Sequence, residues 1–238
     1  DAGEVSVLGR DPAHGGLDWR NRLGIVLQTS TGLDLITSRE ALASTAKVYR
    51  TPRDVDEVLN AVGLTDKADD RVGRLSGGQR RRLDVGLGIV GRPELLFLDE
   101  PTTGFDPQAR RDFWELIRSL ADGGTTMLLT THYLDEAEHL ADRVGVIAAG
   151  RMLAVDTPAN LGGRASSEAT VSWEDKSGER HTERTSTPTQ LGASLAEQLG
   201  GEIPKLTVTR PSLEDTYLAL IAPHTVAASQ TPAGVVVA

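Results

Sequence analysis

Leu95-Leu96-Phe97-Leu98, an unbroken apolar run that ends in Asp99-Glu100, limits the possible folds more than any other stretch of this chain. A strand that is apolar at every position is buried on both faces, and such strands belong to parallel sheets flanked by helices. Met127–Thr130 and Val144–Ala148 repeat the pattern, and Leu23–Gln28 is a similar run that closes on a polar residue. Helical patterns lie between them. Phe113, Leu116, Ile117 and Leu120 share one face of a predicted helix over Gln108–Leu120, another spans Asp135–Ala141, and a third, Gln79–Val90, follows a glycine pair. Residues 38–62 are mostly helix formers interrupted by Pro52, after which Val55, Val58, Leu59 and Val62 recur at helical spacing. Strands alternating with helices predict an α/β fold: a mostly parallel sheet with helices on both faces. Gly3–Gly9 alternates polar and apolar residues and predicts one further, half-buried strand.

Beyond Pro158 the character changes. Residues 164–190 are rich in Ser, Thr, Glu and Arg, with one alternating strand at Ala169–Trp173. Leu191–Leu199 reads as a short helix, Lys205–Val208 as a strand, and Ser212-Leu-Glu-Asp215 as the capping box of a last helix, with Asp where Glu or Gln is usual. The expected organisation is therefore an α/β domain over residues 1–160 with a helical subdomain at about 30–90. A small α+β C-terminal extension over 161–222 and a disordered tail over 223–238 follow.

The bulk numbers restrict function. Among 238 residues, 39% are hydrophobic, enough for a sizeable core, and the net charge of -9 argues against a nucleic-acid binder that works by neutralising phosphates. There is no cysteine, hence no disulfide frame and no thiolate metal site. No apolar run reaches the ~18–20 residues of a membrane-spanning helix.

Three places carry chemistry. In Leu75-Ser76-Gly77-Gly78-Gln79, two glycines ahead of a helix let the backbone pass close to a ligand, and the helix N-terminus offers free N–H groups to an anion. The bland alternative for these five residues is that Ser76 is merely a helix cap and the glycines a turn. Asp99-Glu100 sits at the carboxyl edge of the sheet, where open α/β folds hold ligands, though a single such pair can also be a solvated turn before Pro101. Gln28 and His132 each end a strand, where a residue taken alone is more often structural than functional.

Taken in order, Gln28, the Leu-Ser-Gly-Gly-Gln element, the apolar run into Asp99-Glu100, Gly104-Phe105-Asp106 and His132 together resemble the ATP-binding cassette ATPases over roughly residues 1–160. That resemblance implies a P-loop-type core that takes ATP and Mg²⁺. It assigns Gln28 as the Q-loop glutamine that reaches the metal and the attacking water. Ser76, Gly77, Gly78 and Gln79 fall in the signature loop that binds the γ-phosphate held by a second subunit. Asp99 becomes the metal-holding carboxylate, Glu100 the catalytic base, Asp106 the D-loop aspartate and His132 the switch histidine. It also implies a dimer of such subunits and a transmembrane permease as partner, at the cytoplasmic face of the cell membrane. Glu-Pro-Thr-Thr-Gly-Phe-Asp-Pro, Thr-Thr-His-Tyr-Leu-Asp-Glu-Ala and the late Arg-Pro-Ser-Leu-Glu-Asp-Thr-Tyr look like the drug- and antibiotic-exporter branch, typified by daunorubicin-resistance ATPases.

One expected part is missing from the sequence. A phosphate-gripping loop needs Gly-Lys-Ser/Thr, yet the only lysines are Lys47, Lys67, Lys176 and Lys205, and none follows a glycine. Truncation upstream of Asp1 is the expected cause, and the chain alone is expected to be inactive. A non-hydrolysing regulatory cassette is the alternative of another class. A soluble cassette acting on ribosomes or DNA is a third, disfavoured by the lack of a second cassette or a long coiled-coil insertion.

Overall fold

The computed structural model describes residues 3–28, 32–225 and 234–237. The described chain forms two compact units, Asp1–His132 with Val236–Ala238, and Tyr133–Val235. The change of composition near 160 therefore falls within the second unit.

The first unit is built on three parallel strands, β1 (Leu23–Val26), β2 (Leu95–Asp99) and β3 (Thr126–Thr131), with β2 in the middle. In register, Val26 lies beside Leu98, and Asp99 beside Thr130, so all three strands deliver their last residues to one edge. The helices are α1 (Leu17–Arg20), α2 (Ser38–Ala46), α3 (Val55–Ala61), α4 (Gly77–Ile89) and α5 (Pro107–Asp122). Each of α2 to α5 begins on a side chain that accepts from its own first turn: Thr37, Asp54, Ser76 and Asp106. These caps satisfy amides that would otherwise be orphaned and fix where each helix starts.

Helix α4 sets the geometry of the site because it packs hard on β1. A Cβ at Gly24 would sit 2.3 Å from the carbonyl oxygen of Gly88, and one at Gly88 2.8 Å from Val26. Only glycine at both positions permits this approach. Leu83, Val85 and Ile89 of α4 are buried, as are Leu96 and Leu98 of β2. The opposite side of the strands is more open: Ile25 and Leu27 are 60% and 61% exposed, and with Phe97 and Leu128 they line a shallow apolar cleft of about 250 Å³.

The second unit contains α6 (Leu134–Leu140) and an antiparallel pair, β4 (Val144–Ala148) with β5 (Arg151–Asp156). A three-stranded antiparallel sheet follows, with β6 (Ala169–Glu174) between β7 (Arg180–Thr185) and β8 (Thr207–Thr209). Helix α7 (Pro188–Leu199) and helix α8 (Leu213–Thr225) complete it. The Ser212–Asp215 capping box forms as expected: Asp215 N–H donates to Ser212 Oγ at 3.0 Å, and Ser212 N–H to Asp215 Oδ2 at 2.8 Å.

Three expectations are corrected. Gly3–Gly9 is not a strand; it ends in a tight turn in which Val7 and Arg10 form an isolated bridge and Leu8 and Gly9 both take positive φ. Alternation alone makes no strand without a neighbouring chain to hydrogen-bond, and Val5 is 64% exposed. Strands β5 and β7 were not foreseen: β7, Arg180–Thr185, is polar and carries no apolar period, whereas β5, Arg151–Asp156, holds the apolar run Met152–Val155 between charged ends, too short to tell strand from helix by pattern alone. Where an unstructured tail was expected from 223, α8 runs on to Thr225 with Pro223 inside its last turn, and Gly234–Val237 is a strand, β9. Residues 226–233 and 238 lie outside the described residues.

Candidate functional site

The carboxylates at the end of β2 go separate ways. Asp99 accepts a hydrogen bond of 2.5 Å from Thr130 Oγ1 on the neighbouring strand and borders the shallow apolar cleft. Glu100 turns away, and its backbone is unusual: φ is +43°, a left-handed conformation rarely adopted outside glycine. Its N–H still donates to Thr130 O at 2.9 Å, so the turn is tied to β3. Strain of this kind persists only where the surroundings over-determine it, and it gathers at working sites.

Three side chains converge on the Glu100 carboxylate. Gln28 Nε2 donates to Oε2 at 2.9 Å, Thr103 Oγ1 donates to the same oxygen at 3.2 Å, and His132 Nδ1 lies 3.2 Å from Oε1. Gln28 follows β1 and His132 follows β3, so the parallel sheet itself brings residues distant in sequence to one carboxylate. Thr103 was not anticipated; it lies one i+3 step beyond Glu100 in a turn, a signal only a turn prediction could have given.

A cleft of about 610 Å³ opens beside this group, lined by Gln28 and Glu100 on one side and by Ser76, Gly77 and Gly78 on another, with Asp106 contributing to its wall. The plain reading of Ser76 holds as geometry: Gln79 N–H donates to Ser76 Oγ at 3.3 Å and Ser76 N–H to Gln79 Oε1 at 3.0 Å, a full capping box. Gln79 is thus engaged with the helix start and does not line the cleft. Asp106 caps α5, accepting from Gln108 and Ala109 N–H at 2.9 Å each. These bonds hold its carboxyl below the usual carboxylate range, the Ala109 amide most strongly. Of the nine anticipated residues, six line the cleft: Gln28, Ser76, Gly77, Gly78, Glu100 and Asp106. Asp99, Gln79 and His132 stand outside its lining.

Arg81 was absent from the anticipated set, yet it occupies the centre of this region. Its side chain is 7% exposed and its guanidinium donates to three backbone carbonyls: Leu27 through Nη1, Asp99 through Nη2 at 2.8 Å, and Pro101 through Nε at 2.9 Å. Asp84, one helical turn on, supplies a carboxylate 3.9 Å away. The sequence showed only a run of three arginines, with nothing to say which of them turned inward.

Parallel strands that deliver carboxylate, amide and imidazole groups to one edge, facing a helix N-terminus across a cleft, define an open α/β domain of the ligand-binding kind. A family model described as "ABC transporter" matches residues 1–103. A daunorubicin resistance ATP-binding protein of Streptomyces coeruleorubidus is 35% identical over 252 residues, covering 92% of this chain and 78% of that protein. A linearmycin resistance ATP-binding protein of Bacillus subtilis is 34% identical over 180 residues, covering 72% of this chain and 57% of that one. Among solved structures, cbiO1 of Clostridium perfringens, part of the ABC transporter complex cbiONQ, superposes with a TM-score of 0.56 at 27% identity, over 60% of each chain. The chain belongs to the ABC transporter family, and its relatives include ATP-binding proteins named for drug and antibiotic resistance. Two further daunorubicin relatives, each 41% identical, are matched over 52% and 50% of their length, so the chain spans about half of several of its relatives.

Proposed function

We propose that this chain is most of the ATP-hydrolysing subunit of an exporter that expels a drug, an antibiotic or a similar small molecule through a separate membrane permease. The observation that carries the reading is the convergence of Gln28, Thr103 and His132 on Glu100. A carboxylate held on both oxygens at a sheet edge is placed to orient an attacking water as general base, with His132 beside it to respond to the γ-phosphate. A non-hydrolysing partner has no physical need of that arrangement.

The remaining roles follow from position. Asp99 and Gln28 offer oxygen donors, the chemistry Mg²⁺ prefers, and the ion would neutralise charge on the phosphates. The amides of Gly77 and Gly78 at the start of a 13-residue helix, with the Ser76 hydroxyl, form an anion-binding surface suited to the γ-phosphate of ATP gripped by a second copy. Asp106 shapes the loop between them. Alone, residues 1–238 hold ATP weakly, because they contain no Gly-Lys-Ser/Thr phosphate grip. The kinship with ATP-binding proteins of transporters supports attachment at the cytoplasmic face through the permease; among the described residues no helix is long and apolar enough to cross a membrane.

The test uses the full-length gene product reconstituted with its permease in inside-out vesicles. Uptake of a fluorescent anthracycline that requires both ATP and Mg²⁺ is expected. ATP hydrolysis that proceeds without any cargo movement, across anthracyclines and polyene antibiotics alike, would contradict the export reading.

A further inference from the structure

We propose that Arg81 is a positioning residue: it holds Glu100 in the strained backbone conformation that aims its carboxylate at Gln28 and His132. The inference rests on the reading of Glu100 as the general base. Glu100 lies between two carbonyls that the same guanidinium grips, those of Asp99 and Pro101, while the third gripped carbonyl, that of Leu27, directly precedes Gln28. One side chain thereby fixes the backbone on both sides of Glu100 and at the root of Gln28. A left-handed glutamate relaxes to negative φ unless it is restrained. Its own N–H, bonded to Thr130 O, restrains one end of the turn, and Arg81 restrains the rest.

The chemistry requires arginine in particular. Three carbonyls in different directions match a planar fork with five N–H donors, whereas a lysine ammonium on its flexible stem satisfies them less completely. The position on α4 matters as well. Arg81 stands one turn beyond Gly77, on the helix whose start faces the cleft, so the segment that carries Glu100 is bonded to the helix that carries Ser76, Gly77 and Gly78.

The experiment compares Arg81→Lys and Arg81→Gln in the full-length protein with its permease, with turnover expressed per ATP-binding-competent subunit. A misplacement of about 1 Å is enough to cost roughly 100-fold in rate, so kcat is expected to fall at least ~10-fold while KM for ATP stays within about twofold. In a Glu100→Gln background, adding Arg81→Lys is expected to cause no further loss in single-turnover hydrolysis, because the group it positions is already gone. A parent kcat per competent subunit, an equal rise in KM, or an additive loss in the double variant would overturn the proposal. So would failure of both variants to yield folded protein, which would assign Arg81 to the fold alone. Should Glu100→Gln itself turn over at the parent rate, the functional reading fails; should Glu100→Gln be inactive and Arg81→Lys keep full kcat, only the present inference fails.

Discussion

Asp106 shows how a single side chain can serve both fold and site. It starts α5 by accepting two backbone N–H bonds, and those bonds keep its carboxyl below the ordinary value of 3.8. A carboxylate whose pKa is depressed by folding adds stability above its unfolded pKa, and that stability is lost as pH falls through the lower, folded value. Asp106→Asn keeps a capping oxygen without the titration. The variant is therefore expected to lose less thermal stability than the parent when pH is lowered from 5 towards 3, measured by circular dichroism melts. Identical acid sensitivity would mean that the titration of Asp106 contributes nothing to the pH dependence of stability. At this scale the sequence was legible where residue type and place coincide, as with Asp106, Ser76 and Glu100. It was silent on Arg81 and Thr103, whose roles depend on carbonyl directions and a turn that no residue pattern encodes.

Among the elements, α4 and β1 are the pair on which the site depends. Their contact is set by Gly24 and Gly88, and neither has space for a methyl group. Gly88→Ala is expected to push α4 away from Val26 and Leu96 and to cost about 1–3 kcal/mol of stability, as overpacking in a closed core does. Chemical denaturation of the full-length protein checks this, with activity falling alongside because Arg81 moves with the helix. Unchanged stability would show that α4 can shift freely. The apolar runs announced β2, β3 and β4 to within a residue or so, although one side of β2 and β3 is only partly covered in the structure. Gly3–Gly9 misled for the reason that hid β7: strands are completed by partners, and a partner is not written in the strand's own sequence.

For the whole molecule, two features call for complements. The open side of β1 to β3 leaves Ile25 and Leu27 largely exposed, a surface suited to further packing. The cleft offers helix amides and an ordered carboxylate but no lysine-bearing phosphate loop. Calorimetry of residues 1–238 with ATP and Mg²⁺ is expected to show no binding in the micromolar range; micromolar affinity would place a phosphate grip among residues not assigned one. Because the signature residues are proposed to serve a second copy, Ser76→Arg subunits mixed into full-length parent protein should depress turnover faster than their fraction, and a strictly proportional fall would mean each subunit works alone. The most direct test of the account is Mg²⁺-dependent turnover of the full-length protein against Glu100→Gln. Glutamine keeps the size and hydrogen-bonding reach of the side chain but cannot take a proton, so turnover is expected to fall at least ~100-fold with ATP affinity within about twofold. Parent-rate turnover in that variant would contradict the assignment of Glu100, and with it the reading of the site.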